Sequence, residues 1–181
     1  MKAIVVYGSN RSNSTSKAVV TKVLEGAKAA GYDEIIEFDS MKMNFKGCIN
    51  CATCKKNGID CILNDDLKDF FKEIHTADAL IVSSPNYMSS IAGPMITFMN
   101  RHCCMKDKDG NSRLGKDVKL ISVYSQGAPV ELEQYEKNYE WYHKCLLGMG
   151  YKDAGKFVVR GPMPAEDAEI WKAAFEAGKA L

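Results

Sequence analysis

The sequence predicts an α/β fold, a doubly wound three-layer sandwich in which a five-stranded parallel sheet carries helices on both faces. Three observations lead there. Strand-like and helix-like segments alternate along the whole chain. The strand segments are short, β-branched apolar runs, as parallel strands buried on both faces require. The loops richest in small polar residues all follow strands, the side on which such sheets bind ligands.

The first strand, residues 2–7, stops at Gly8 and gives way to a polar loop. A helix follows with Val19, Val20, Val23, Leu24 and Ala27 at helical spacing and Gly31 as its stop. Residues 34–39 mix acids with Ile and Phe, the composition of an edge strand. A cysteine-bearing loop at about 46–63 comes next. Asn64 is then expected to cap a short helix with Asp65 and Asp66 in its first turn and Leu67, Phe70, Phe71 and Ile74 on its inner face. The third strand, 77–84, is the most apolar, and its end leads into a helix bearing Met95, Ile96, Phe98 and Met99. Residues 106–116 form an exposed connection turning at Asp109-Gly110. A fourth strand (118–124), a long helix (130–147), a fifth strand (156–160) and a closing helix (165–181) complete the pattern. Right-handed crossovers and a strand order of 2-1-3-4-5 would bring the ends of the first, third and fourth strands to one site.

At 181 residues without low-complexity stretches, the chain is expected to be one domain, residues 1–181, with a full core. A net charge of +1 from mixed signs gives no basic stripe, which argues against a nucleic-acid partner. No run of about twenty apolar residues exists and the chain leads straight into a strand, so neither a membrane span nor a secretory leader is expected. Seven cysteines without a leader point to the reducing cytoplasm, where thiols serve metals or redox chemistry more often than structural disulfides. The balanced charge also lacks the single-sign field of a dedicated electron carrier.

The loop after the first strand is the most informative segment. Ser9, Ser12, Ser14, Thr15 and Ser16 place five hydroxyls within eight positions, with Arg11 among them, ahead of a helix start. One cap needs one hydroxyl. Backbone N–H groups, hydroxyls and the positive end of a helix dipole together form an anion cradle, and Arg11 can grip a phosphate with two parallel hydrogen bonds. The loop has neither the GxxxxGK[ST] of a nucleotide triphosphatase nor the GxGxxG of a dinucleotide fold. Short donors around one group suit a terminal monophosphate, as on FMN.

Cys48, Cys51 and Cys54 stand at two-residue gaps, with Cys61 following. Bacterial ferredoxin runs begin in this way, and such a loop can wrap a cube of iron and sulfide. Structural zinc usually draws on two separated ligand pairs, and uncommitted thiols or a redox disulfide complete the alternatives. Cys103, Cys104 and Cys145 lie in helical pattern and read as buried, inert thiols. His75 reads as a helix C-terminal cap, His102 and His143 have no partner legible from spacing, and Trp141 and Trp171 are expected to pack helices.

Gly8-Ser9-Asn10-Arg11 with its hydroxyl run, the cysteine motif, Asp65-Asp66, Ser84-Pro85-Asn86-Tyr87, Gly93-Pro94 through Arg101, and Gly115-Lys116 together resemble the flavodoxin-like NAD(P)H-dependent FMN reductase family. The likeness is to its branch with a compact cysteine motif, which includes the iron–sulfur flavoproteins, and it spans roughly residues 1–127. The resemblance implies that Ser9, Arg11, Ser14, Thr15 and Ser16 hold the FMN phosphate. It places Pro85, Asn86, Tyr87, Met88 and Ser89 beside the isoalloxazine ring, and Ser125, Gln126 and Gly127 on the ring's other side. It implies hydride transfer from NAD(P)H to flavin, which needs no acid–base side chain, with a quinone, a flavin or another small molecule as acceptor. A homodimer or homotetramer is implied as well. Two other readings stay open: an electron-transfer module in which Cys48, Cys51, Cys54 and Cys61 hold a 4Fe-4S cluster beside FMN, and a flavin- or zinc-binding redox sensor.

Overall fold

A computed structural model describes residues 1–181. The apolar runs pair as parallel strands: β1 (Lys2–Tyr7) lies between β2 (Glu34–Asp39) and β3 (Ala79–Tyr87), and β5 (Lys119–Gln126) joins β3 to β6 (Lys152–Arg160). The order β2-β1-β3-β5-β6 is the expected 2-1-3-4-5 once β4 (Ser90–Ile91), a two-residue strand antiparallel to the end of β3, is set aside. Side chains alternate across β1: Ala3 and Val5 face one layer, Ile4 and Val6 the other.

The first layer is α1 (Thr15–Ala29) and α6 (Glu169–Lys179), with Val19, Val20, Val23, Leu24 and Ala27 buried as their spacing predicts. Opposite lie α3 (Leu67–Ile74), α4 (Gly93–Arg101) and α5 (Glu133–Leu147), packed through Phe70, Phe71, Phe98, Tyr139 and Leu146. The short helix α2 (Thr53–Asn57) sits in the cysteine loop, and a 3₁₀ turn, His102–Met105, follows α4. No helix is long and apolar enough to cross a membrane.

The two helices of the first layer meet backbone to backbone. A Cβ on Gly26 of α1 would lie 1.9 Å from the Phe175 carbonyl oxygen, and one on Gly178 of α6 would lie 1.9 Å from that of Val23. Any side chain at this crossing would force the helices apart.

Several boundaries differ from expectation. β3 runs on through Pro85-Asn86-Tyr87 because the chain turns back at Met88-Ser89 to pair as β4. β6 begins at Lys152, where it joins Lys119 of β5, while α5 and α6 start later than their apolar patterns suggest. Asn64 does not cap α3: Asp66 takes that position, and the Leu67 N–H donates to Asp65 Oδ1 at 3.2 Å. Asn64 instead accepts from Lys68 Nζ at 2.8 Å.

Candidate functional site

The carboxyl ends of β1, β3, β5 and β6 surround one cavity of about 290 Å³. Gly8 brings the first two together. Its N–H donates to the Ser83 carbonyl at 2.8 Å, and a Cβ there would meet Met95 Cγ at 2.4 Å and that carbonyl at 2.7 Å, so only glycine allows the approach. The hydroxyl loop then crosses the mouth of the cavity. Ser9 is buried, and its Oγ accepts from the Arg11 N–H at 3.3 Å. Ser14 caps α1, accepting from Lys17 N at 3.4 Å, and bonds the Ser16 hydroxyl at 3.0 Å. No acid stands in the first turn of α1, so the positive end of its dipole is uncompensated where it faces the cavity.

Of the residues expected around the cofactor, Ser9, Arg11, Ser14, Thr15, Pro85, Asn86, Tyr87, Ser125, Gln126 and Gly127 line this cavity. Three do not. Ser16 is fully buried inside the first turn of α1, where helical geometry turns it from the mouth. Met88 and Ser89 form the tip of the β3–β4 hairpin, both left-handed (φ 50° and 65°), with Met88 99% exposed. The two-residue turn throws their side chains outward, and the Ser89 carbonyl accepts from Asn138 Nδ2 of α5 at 2.6 Å. Ser84 Oγ closes the hairpin by accepting from the Ala92 N–H at 2.9 Å.

Asn13 and Gly161 also line the cavity and were not anticipated. Gly161 directly follows the last residue of β6, and its place at a strand's carboxyl end was the available signal. Gln126 spends its side chain within the protein: Nε2 donates to the Ala128 and Val130 carbonyls at 3.0 and 2.9 Å, and Oε1 accepts from Tyr139 at 3.1 Å. It shapes the loop and leaves backbone groups to face a ligand.

Asn86 supplies an amide that the protein satisfies poorly. Its Nδ2 is buried beside the Tyr139 hydroxyl without a well-formed hydrogen bond, while the residue lines the cavity, and an under-satisfied buried donor costs about 1–3 kcal/mol. A ligand with a polar edge would remove that cost. Arg11 extends its exposed side chain to the same cavity. A flat group carrying acceptors at one end and a phosphate at the other suits this donor set, which is the chemistry of FMN.

A second site lies in the cysteine loop. Cys48, Cys51, Cys54 and Cys61 line one small cavity of about 60 Å³, with Cys48 and Cys51 exposed and Cys54 buried on α2. Asn50 and Ala52 adopt left-handed conformations between these cysteines, and the Asn50 N–H donates to Cys48 Sγ at 3.4 Å. Hydrogen bonding from Thr53 holds the Cys51 thiol below its ordinary pKa, whereas burial pushes that of Cys54 up. No three ligating side chains converge on a point fit for a single metal ion. Cys48, Cys51, Cys54 and Cys61 surround a common space, and an iron–sulfur cluster would take one thiolate to each iron.

The loop is held by a frame of charges. Arg101, wholly buried, donates from Nη1 to the Lys46 carbonyl at 2.8 Å and from both Nη atoms to the Asp65 carboxylate. Asp66 Oδ2 accepts from the Asn44 N–H at 2.6 Å. At the far end, Arg113 Nη1 donates to the Ile59 carbonyl at 2.7 Å, and Asp60 Oδ1 lies 2.9 Å from Nε2 of His75, the C-cap of α3. Burial opposes the Arg101 charge, but Asp65 and the neighbouring Cys61 sulfur outweigh it, so its pKa rises.

The remaining expectations divide. Cys104 is buried and inert, with a pKa pushed up to about 12. Cys103 is not: it is partly exposed and lines the cysteine cavity, because the 3₁₀ turn directs it at the loop. Cys145 is also only partly buried. Trp141 is 57% exposed rather than packed, while Trp171 donates Nε1–H to the Ala165 carbonyl at 2.7 Å. His143 Nδ1 lies 2.9 Å from Ser122 Oγ and Nε2 lies 3.1 Å from Asp153 Oδ1, but Ser122 is fully buried in β5, so this array joins elements and reaches no substrate.

Comparison with known proteins agrees with this geometry. The family described as NADPH-dependent FMN reductase matches residues 1–152. An iron–sulfur flavoprotein of Archaeoglobus fulgidus is 28% identical over 183 residues, covering 96% of this chain and 76% of its own. One from Methanocaldococcus jannaschii is 30% identical over 123 residues, covering 68% of this chain and 61% of its own. This chain thus spans about three quarters of the first relative and less than two thirds of the second. Among solved structures, an NAD(P)H:quinone oxidoreductase from Methanothermobacter marburgensis superposes with a TM-score of 0.70 at 18% identity, covering 99% of this chain and 96% of that one, a likeness of fold. The chain belongs to the NADPH-dependent FMN reductase family and is an FMN-dependent oxidoreductase of flavodoxin-like fold.

Proposed function

We propose that the cavity at the carboxyl ends of β1, β3 and β5 is the FMN site, and that the protein takes a hydride from NAD(P)H and passes electrons to a quinone, a flavin or another small acceptor. One observation carries this reading: three loops far apart in sequence meet on one cavity, with an anion cradle at one side and Asn86 at another. Bound there, FMN would supply the redox chemistry through its ring. Arg11, the hydroxyls of Ser9, Ser14 and Thr15, and the start of α1 would neutralise the phosphate. Asn86 would donate to the polar edge of the ring and Tyr87 would cover part of a face. Gln126 fixes the loop opposite, and no side chain moves a proton.

The test is direct. Purified protein, denatured, should release yellow pigment, and FMN added to stripped protein should be quenched and should raise the melting temperature. NADH or NADPH should then bleach the flavin within seconds under anaerobic conditions. Absence of all binding signs would overturn the site, while binding without reduction would overturn the reductase reading.

The cysteine cavity supports a second reading, an electron-transfer module with FMN and a 4Fe-4S cluster on Cys48, Cys51, Cys54 and Cys61. Anaerobic absorption with iron, sulfide and zinc analysis separates it from a flavin-only enzyme and from a zinc-bearing sensor. We further place the protein in the cytoplasm as a homodimer or homotetramer. Its free cysteines suit a reducing compartment, and the exposed Tyr87, Met88 and Trp141 offer apolar surface to a second copy.

A further inference from the structure

Glu136, Asn138 and Tyr139 of α5 do not line the cofactor cavity, yet each fastens a segment that borders it. Asn138 Nδ2 donates to the Ser89 carbonyl at 2.6 Å, at the tip of the β3–β4 hairpin. Glu136 Oε1 accepts from Arg160 Nη2 at 2.5 Å, on the last residue of β6 before Gly161. The Tyr139 hydroxyl donates to Gln126 Oε1 at 3.1 Å, on the last residue of β5. Of the three, Tyr139 is wholly buried. Its ring lies parallel to that of Tyr124, 4.8 Å between centroids and 10° between planes, which fixes where the hydroxyl points. Burial pushes its pKa up to about 12, so the hydroxyl keeps its proton. That one proton goes to Gln126, and toward the neighbouring Asn86 amide the same oxygen can only accept. It therefore favours Nδ2 of Asn86 over Oδ1 on its side. Gln126 carries the link onward, because its Nε2 holds the Ala128 and Val130 carbonyls at 3.0 and 2.9 Å.

We propose that Tyr139 is a positioning residue for the flavin ring: from behind the cavity wall, its hydroxyl orients the Asn86 amide and pins the loop that begins at Gln126. The proposal rests on the FMN reading of this cavity. Tyr139 touches no ligand and acts through two residues that do line the cavity. A phenylalanine could fill the same space against Tyr124, so what the hydroxyl adds is the polar link between the ends of β3 and β5. Without it, the Gln126 carbonyl oxygen loses its donor and the two walls are free to shift apart. A bound ring must then order them, which costs affinity. The phosphate cradle has its own contacts, from Ser9 to Arg11 and from Ser14 to Ser16 and Lys17, and none passes through Tyr139.

The test uses the full chain, freed of flavin and titrated separately with FMN and with riboflavin, at a temperature where every variant is folded. Tyr139→Phe should weaken both ligands by the same factor, about fivefold, and should shift the visible absorption bands of the bound flavin. A purely structural hydroxyl would lower the melting temperature and leave affinity and bands as in wild type. Tyr151→Phe is the control: it removes another buried phenol hydroxyl, one without a partner, and should change neither reading. Wild-type affinity and spectrum in Tyr139→Phe would overturn the proposal while leaving the FMN site intact. Loss of FMN affinity alone would overturn it too, since that pattern belongs to the phosphate cradle. So would an equal loss in Tyr151→Phe. A wild-type protein that binds neither flavin would remove the FMN site itself, and this proposal with it. Should Tyr139→Phe fail to fold, Gln126→Met takes away the acceptor that the hydroxyl serves: equal weakening of both flavins supports the proposal, and unchanged binding overturns it.

Discussion

Arg101 and Asp65 form a two-pronged ion pair beneath the cysteine loop, the arginine side chain fully enclosed and the carboxylate 13% exposed. A buried charge is tolerable only when paired, and removal of one partner costs far more than the pair itself contributes. Arg101→Gln should therefore cost about 3–5 kcal/mol in urea unfolding. It should also free the Lys46 carbonyl and speed alkylation of the loop cysteines in the folded state. A loss below about 1 kcal/mol would place the pair with exposed ones.

Arg11 should matter for ligand and not for fold. Its side chain is exposed at the cavity mouth, so Arg11→Ala should leave the melting temperature of the empty protein unchanged. Loss of a charge-assisted phosphate contact is worth about 2 kcal/mol, or roughly thirtyfold in FMN affinity by fluorescence titration. Riboflavin, which lacks the phosphate, should bind both forms alike. Equal loss for both ligands would remove Arg11 from the phosphate.

His102 should make the fold acid-sensitive. It is enclosed by Phe70, Phe71, Phe98 and Tyr151, its Nδ1 lies 3.0 Å from the Phe98 carbonyl, and its Nε2 has no partner. Burial lowers its pKa from 6.5 to about 4. The unfolded chain therefore binds the proton first as pH falls. Stability is unaffected by this group above pH 6.5 and declines between there and pH 4, by about 3 kcal/mol in total. Unfolding curves at pH 7 and 4.5 should show this slope, and His102→Gln should flatten it. An equal slope in that variant would assign the acid sensitivity elsewhere.

Gly26→Ala should separate α1 from α6. With the Phe175 carbonyl 1.9 Å from the added methyl carbon, neither backbone can yield locally. The cost should reach or exceed the about 1–3 kcal/mol of ordinary overpacking. Chemical denaturation measures it, and Gly178→Ala should behave in the same way.

The strands, their order and the hydroxyl loop were legible because each is written in local pattern: β-branched runs, helix spacing at Val19 to Ala27, and hydroxyls around Arg11. The β3–β4 hairpin was not. Two-residue hairpin turns favour Asn-Gly or Asp-Gly, whose residues enter left-handed conformations cheaply; here Met88 and Ser89 do so, and Pro85-Asn86 reads as a loop. The outward aim of Met88 and Ser89 follows from that turn. Cys103 escaped for another reason. Helical spacing placed it among apolar neighbours, but α4 ends at Arg101 and the tighter 3₁₀ turn rotates it toward the loop. Asp65 was read as a dipole partner of its own helix, since nothing local reveals a counter-ion thirty-six residues on.

The glycine crossing of α1 and α6 has a consequence for how this protein comes into being. The residues that would grip a phosphate are translated well before α6, the partner on which the helix they begin rests. Until that late segment docks, α1 has one flank exposed to water and its amino end is free to fray. A nascent chain can thus spell out the cradle long before α6 exists, but can close its hand on a cofactor only once that helix has been made.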